Sequence, residues 1–528
     1  MKIDIIIENG EIIDGTGQLR YKADVGIDKG KIIYIGDSSS IESKRSIDAS
    51  GMIVAPGFID MHSHSDMSLF DDPGGESKAF QGVTTEVTGN CSYSPFPIGQ
   101  QENPGSRLGW KSDQLAWKDL DGWANHLKSN GISINVAPQL GQSALQQAVG
   151  SIDQRKATED EMKLMKGLAN EAMEQGAFAI STGLNLAPSG YMSTEEIISL
   201  CKEIRNYDGA FYTTHARTGN GKQVSMIEEA IEIGRRADIP VQFSHMAITD
   251  RRFYGKGQEM IELLERAREQ GIDIVFDMYP YTAAQAGLDQ MVPAWVQTGG
   301  IDKYTERLQD LEIRDTVREE IATGLGGLKP LWNTWIVADV QTEANKSIVG
   351  LSIEEIAASR GIEPAEAVLQ LEEEEQGVLS GVIHNRVESD IRYFLSHPLS
   401  MIGSDGNAIS PTGIYSKEQL HPRFYGTYPR ILGRYVREQS LLSLEVAIRK
   451  MSGFPAERLN LKDRGTISID MVADLAIFDP NKVMDIATFE QPHQLSVGVD
   501  HVLVNGELVI SNGVHTGLRP GSVLRRGN

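Results

Sequence analysis

Asp60, His62 and His64 alternate along the segment GFIDMHSHSD, residues 57–66. On an extended chain that spacing turns all three side chains to one face. Imidazoles add little to an apolar core, so an acid and two histidines placed this way raise a metal site as the first reading. The motif is short, and other ligand types must converge on it before it carries weight. Cys91 closes VTTEVTGNC, His215 closes AFYTTH, His245 follows IPVQFS and Asp405 follows SMIGS. Histidine, cysteine and carboxylate together suit Zn2+, whereas Mg2+ and Ca2+ prefer shells of oxygen.

The elements that must position these residues are legible as an alternation. Apolar strand-like runs recur as GFIDMHSHS, TTEVTGNC, ISINVAPQ, AFAISTGL, AFYTTHAR, VQFSHM, DIVFDMYPY and SMIGSDG, with amphipathic helical stretches such as TEDEMKLMKGLANEAMEQG between them. Eight such βα units predict an α/β fold, a TIM-type (β/α)8 barrel spanning residues 57–464. Chemistry in that fold sits where the strands end, and strands one, two, five, six and eight end in the ligand types named above. The stretch from Tyr281 to Ser400 is too long for one βα connection. It predicts an insertion after strand seven, a lid or small subdomain at about 285–350. The acidic run Glu372–Glu375 within that stretch reads as a solvated helix face.

Both ends of the chain are rich in short strands with tight turns at Asn9-Gly10, Lys29-Gly30 and Asn505-Gly506. Each set alone is too small to close a core, so residues 1–56 and 465–528 are expected to form one β-sandwich. The net charge of −23 excludes the basic surfaces that nucleic acids and anionic membranes require. No long apolar stretch is present, and the expected location is the cytoplasm. With two cysteines there is no disulfide framework; Cys201, in a helical pattern, reads as an apolar filler.

Two neutral imidazoles and one thiolate, from His215, His245 and Cys91, make a tight three-ligand zinc site with an open position. His62, His64 and Asp405 either hold a second, weaker ion with Cys91 bridging, or surround a single one. His126, His384, His397, His493, His501 and His515 read as structural, and His421, in the loop after strand eight, as a residue of the mouth.

The chain resembles the amidohydrolase superfamily, and within it the D-aminoacylases (N-acyl-D-amino-acid deacylases). The resemblance rests on VAPGFIDMHSHSD, GVTTEVTGNCSYSPFP, ISTGLNLAPSGYMSTEE, TTHAR, IPVQFSHM, FDMYPYTA, MIGSDG, HPRFYGTYPRILGRYVRE and TGLRPGSVLRR. It implies a metal-binding barrel with a β-sandwich, zinc held tightly by Cys91, His215 and His245, and a weaker site at His62, His64 and Asp405. It also implies that Arg423 and Tyr281 help hold a substrate carboxylate and that Tyr191 lines the acyl side. Most relatives outside this branch bridge two metals with a carboxylated lysine after strand four, where this chain has FAISTGLNLAPSG. Two departures stand out: Gln142 and Gln146 occupy APQLGQSALQQAVG after strand three, and Ala247 replaces a carboxylate-binding lysine after strand six. Arg251 or Arg252 is the expected substitute.

The expected activity is zinc-dependent hydrolysis of a linear amide in a small molecule, with Asp405 as general acid and base. Cyclic amide hydrolysis on the same barrel is the alternative, and a non-catalytic scaffold the reading from another class. The substrate, its hand, the number of metals and a homo-oligomeric state are left open.

Overall fold

The computed structural model describes residues 2–99, 115–218 and 223–527. At its centre run the strands Phe58–Asp60, Val83–Thr88, Asn135–Pro138 with its continuation Leu140–Gly141, Ala179–Gly183, Phe211–His215, Val241–Phe243, Ile274–Met278 and Ser400–Ile402. Each pairs in parallel with the next. Met61 N donates to Ile402 O at 3.1 Å and Ser63 bridges Gly406 in parallel, so the last strand of the series also lies against the first. All eight runs anticipated from hydrophobic patterning are strands here.

The helices between them are formed by local signals. Thr158 with Glu161, and Ser193 with Glu196, make reciprocal capping boxes that start Glu159–Glu174 and Thr194–Ile204. Met226, Ile227, Ala230, Ile233 and Ala237 repeat at helical spacing along Ser225–Ala237 and are buried. These faces join strand residues such as Ile180, Tyr212, Val241 and Ile274 in one large core. Strands covered on both sides are apolar or small nearly throughout, as parallel sheets require.

The two chain ends meet. Lys31–Gly36, Asp24–Asp28, Lys2–Glu8 and Glu42–Asp48 form a four-stranded sheet. A second sheet joins Ile53–Pro56, Glu11–Ile12 and Tyr21–Lys22 to the C-terminal strands Leu475–Phe478, Val499–Val504, Glu507–Ser511 and Val514–His515. Ile53–Pro56 pairs antiparallel with Leu475–Phe478, and Ile5, Val25, Val54, Leu475 and Leu503 share one core. The hairpin at Asn505-Gly506 has φ of +50° and +82°, the left-handed pair that an Asn-Gly turn adopts without strain.

Between the seventh and eighth parallel strands lies a separate antiparallel sheet of Ala284–Gly287, Ser380–Ile383 and Trp335–Asp339. It has a core of its own, including Leu288, Tyr304, Val317, Trp335, Ile356, Leu369 and Leu379. Its central strand, Ser380–Ile383, lies beyond the stretch at about 285–350 expected for the insertion. The acidic run within it is solvated only in part: Glu374 is exposed and Glu373 partly so. Glu372 and Glu375 are buried: Tyr304 Oη donates to Glu372 Oε2 at 2.6 Å, and Gln341 N and Thr342 N donate to Glu375 Oε2 at 2.6 and 3.0 Å. Composition alone marked these acids as surface; the second core supplies the donors that make their burial tolerable.

Candidate metal centre

The donors stand at one rim because every strand that carries them runs in the same direction. His62 and His64 follow Phe58–Asp60, Cys91 follows Val83–Thr88, His215 ends Phe211–His215, His245 follows Val241–Phe243 and Asp405 follows Ser400–Ile402. The chain must turn sharply at these ends. Cys91, His245 and Asp405 have φ of +51°, +36° and +52°, left-handed values that cost a non-glycine residue free energy and persist only when the surroundings enforce them.

Cys91 Sγ lies 3.3 Å from His62 Nε2, 3.4 Å from His245 Nε2 and 3.7 Å from His215 Nδ1. Asp405 Oδ1 lies 3.1 Å from His64 Nε2 and 3.7 Å from His62 Nε2, and its Oδ2 is 2.9 Å from Arg423 Nη1. Burial pushes the Cys91 thiol up, but the charges of His62 and His245 outweigh it and hold the group well below its ordinary value. Burial likewise opposes ionisation of Asp405, and Arg423 followed by His64 holds it well below the usual carboxylate range. The centre therefore keeps a thiolate and a carboxylate ready for a cation.

These residues fit zinc. A tetrahedral ion with Zn–N of about 2.0 Å and Zn–S of about 2.3 Å sets donors about 3.5 Å apart, and Cys91 stands 3.4 Å from His245 and 3.7 Å from His215. The donor atoms of Cys91, His215 and His245 form one compact group, those of His62, His64 and Cys91 a second, and those of His62, His245 and Asp405 a third. The thiolate belongs to two of them.

Two supports escaped the sequence analysis. Asp277 Oδ1 faces His62 Nδ1 at 3.4 Å and accepts from His245 N at 2.7 Å, while Gln242 Nε2 donates to its Oδ2 at 2.9 Å. A carboxylate behind His62 orients the ring so that Nε2 points to the centre. Asp60, the first residue of the alternating motif, is absent from the donor groups. Its Oδ2 pairs with Lys78 Nζ at 2.7 Å, and neither side chain is exposed to solvent. Lys78 Nζ also reaches Ser404 Oγ at 2.5 Å and Gly406 O at 3.1 Å, and Asp60 Oδ1 accepts from Ser404 N at 2.7 Å. The ion pair thus grips the residues on either side of Asp405. No spacing rule links position 78 to position 405, so the sequence held no signal for it.

A cavity of about 730 Å³ opens above the donors, lined by His64, Cys91, His215, His245, Asp405 and Arg423 among others. Ala247 lines it too, and so does Arg386, which the sequence reading missed. The other expected substrate contacts lie elsewhere among the described residues. Tyr191 Oη donates to Ala294 O at 2.9 Å, and Tyr281 is buried with Oη 3.5 Å from Pro422 O and the Arg430 guanidinium 4.6 Å over its ring. Arg251 Nη2 donates to Lys329 O at 2.9 Å, and Arg252 pairs with Asp250 at 2.5 Å. Neither arginine is among the residues that line the cavity beside Ala247. His421 is buried: its Nε2 donates to Ala283 O at 3.0 Å and its Nδ1 accepts from Arg423 N at 2.9 Å, which fixes the loop carrying Arg423.

Cys91→Ala is expected to lose both bound zinc and activity, measured by metal analysis of the purified protein; full zinc occupancy in the variant would remove Cys91 from the ligand set. Lys78→Met leaves Asp60 charged, buried and unpaired, so it is expected to destabilise the protein by about 3–5 kcal/mol. Denaturant titration reads this directly, and a change under about 1 kcal/mol would show that the pair does not matter to folding.

Comparison with known proteins gives the family. A model of the amidohydrolase family matches residues 45–510. The D-aminoacylase of Alcaligenes xylosoxydans xylosoxydans is 34% identical over 99% of this chain and 98% of its own length. The crystal structure of an N-acyl-D-glutamate deacylase from Bordetella bronchiseptica, complexed with zinc and a phosphonate mimic of the tetrahedral intermediate, matches with a TM-score of 0.83 at 30% identity, covering 99% of this chain and 100% of that one. A D-aminoacylase structure described by the role of its binuclear metal centre matches with a TM-score of 0.83 at 32% identity over 99% of this chain and 100% of its own. The chain belongs to the amidohydrolase family, among the D-aminoacylases.

Proposed function

We propose that this protein is a zinc-dependent hydrolase that removes the acyl group from N-acyl-D-amino acids. The observation that carries the reading is the convergence of six donor side chains from five parallel strands, five of them lining one cavity whose wall also carries Arg386 and Arg423. The frame is a (β/α)8 barrel over residues 57–464, with a β-sandwich from 1–56 and 465–528 and an inserted subdomain in one wall. Cys91, His215 and His245 hold the tight ion, and His62, His64 and Asp405 a weaker second one.

Bound zinc acts as a Lewis acid toward the amide carbonyl and makes water acidic enough to be a nucleophile near neutral pH. The remaining work falls to the chain. Asp405, kept ionised by Arg423 and His64, accepts the proton of the attacking water. It then returns that proton to the amide nitrogen, because an amine leaves only when protonated. His64 and Arg423 hold the carboxylate from two sides and fix which oxygen faces the centre. The net change is water added across the C–N bond, giving a carboxylic acid and a free D-amino acid.

Arg423 is already engaged by Asp405. Arg386 can share the substrate carboxylate with it: the Arg386 guanidinium lies 4.4 Å over the Tyr279 ring, and its Nε, like that of Arg423, is buried without a hydrogen-bond partner. A planar guanidinium binds a carboxylate with two parallel hydrogen bonds.

Hydrolysis of N-acetyl amino acids of both hands tests the activity. The D forms are expected to turn over at least about 10²-fold faster, and Asp405→Asn to retain the tight zinc while losing about 10² in kcat. Equal rates on both hands, or a near-wild-type variant, would overturn this assignment. Arg386→Met should raise KM for substrates with a free carboxylate far more than for their carboxamide analogues; equal effects on the two would make it a structural residue.

A further inference from the structure

Lys78 lies in the short helix Glu76–Ala79, between the first two parallel strands, and its side chain is closed off from solvent. Its Nζ pairs with Asp60 Oδ2 at 2.7 Å and with Glu86 Oε2, on the second strand, at 3.6 Å. It also donates to Ser404 Oγ at 2.5 Å and to Gly406 O at 3.1 Å. Ser404 completes the network. Its hydroxyl donates to Asp60 Oδ2 at 2.5 Å and accepts from Gly406 N at 3.2 Å, and its N donates to Asp60 Oδ1 at 2.7 Å. A buried ammonium is a costly way to fill space, and an apolar side chain would fill it with less desolvation.

The network reaches three donor residues through the backbone. Asp60 Oδ1 accepts from His62 N at 3.3 Å. Gly406 O accepts from His64 N at 3.2 Å as well as from Lys78. Asp405 N donates to His62 O at 2.8 Å, and Lys78 holds both chain neighbours of Asp405. With φ at +52°, Asp405 sits in a left-handed conformation that costs a non-glycine residue free energy, so its place depends on those neighbours. His62, His64 and Asp405 are the donors of the proposed weaker site, and Asp405 is the proposed proton carrier.

The other three donors are set by different bonds. His245 N donates to Asp277 Oδ1 at 2.7 Å. His215 lies in register with Gly183 on the neighbouring strand, and its O accepts from Leu184 N at 2.8 Å. Beside Cys91, Ser92 N donates to Ser181 Oγ at 3.2 Å. The centre thus has two halves with separate anchors.

Resting on the deacylase reading above, we infer that Lys78, Asp60 and Ser404 are positioning residues for one half of the centre, the weaker ion site and Asp405. The tight zinc of Cys91, His215 and His245 is held without them. None of the three lines the cavity, so substrate affinity stays with its wall. A shift of about 1 Å at a reacting group can cost about 10² in rate, and loss of a group behind a metal ligand weakens metal binding by about 10–100-fold.

Two variants test this. Ser404→Ala removes the shared hydroxyl and no charge; the Asp60→Asn, Lys78→Met double variant removes both charges of the closest pair. Each is compared with wild type for kcat and KM on N-acetyl-D-amino acids, and for zinc binding by titration against a chromophoric chelator. Both variants are expected to keep one tight zinc per chain. The free zinc that half-fills the second site should rise at least about tenfold, and kcat should fall about tenfold or more while KM moves less than about threefold. A wild-type kcat or a wild-type second-ion affinity in Ser404→Ala would overturn the inference, even with a lower unfolding temperature, and leave the deacylase reading standing. Loss of the tight zinc along with the second would overturn it as well, because the network would then support the whole centre. No turnover of any N-acetyl-D-amino acid by wild type would overturn the deacylase reading instead, and the zinc titration would still decide the role of the network. Ser404→Ala leaves no lone buried charge and decides the matter where the double variant fails to fold.

Discussion

A lysine ammonium without solvent exposure is pinned between strand one and the turn after strand eight of the parallel series. Lys78 pairs with Asp60, and together they bond to the backbone or hydroxyl groups of Ser404 and Gly406. Asp405 sits between those two residues on left-handed backbone, with its own N bonded to His62 O at 2.8 Å. The geometry at Asp405 is thus over-determined from both sides, as a strained residue at a working site must be. Burying an ion pair is expensive, and apolar residues of equal volume are often as stable. Here the pair supplies direction: it ties the first strand to the last at the level where His62, His64 and Asp405 leave the sheet.

The electrostatics of the centre follow from that placement. Imidazoles crowded around Cys91 keep its sulfur ionised against the cost of burial, and Arg423 with His64 does the same for Asp405. Cys201 is the control within the same chain: it is equally buried, has no cation beside it, and burial alone pushes its thiol up. One cysteine is suited to hold a metal and the other to fill a core because of what stands next to them.

The insertion gives the site its breadth. Its sheet and separate core raise a wall beside the rim, so the cavity is shaped partly by residues outside the eight parallel strands. Relatives sharing the metal-binding frame can differ in substrate through such a wall while the donor set stays fixed.

The sequence by itself determined the strands, the order of the ligands and the chemistry. Period-two and period-3.6 patterns reflect which faces are buried, and that information is local. His62, His64, Cys91, His215, His245 and Asp405 were legible because each sits at the end of a recognisable strand and because parallel strands end together. The tertiary structure alone decided the rest. It moved Asp60 from the metal face to the Lys78 pair, set Asp277 behind His62, took Tyr191, Tyr281, Arg251 and Arg252 off the cavity wall, and brought Arg386 onto it. It also buried Glu372 and Glu375, which read as surface. These outcomes depend on long side chains choosing among partners hundreds of residues away, and the nearest opposite charge or donor in three dimensions settles each choice. Strand patterns fix where a backbone goes; they do not say which charge waits there.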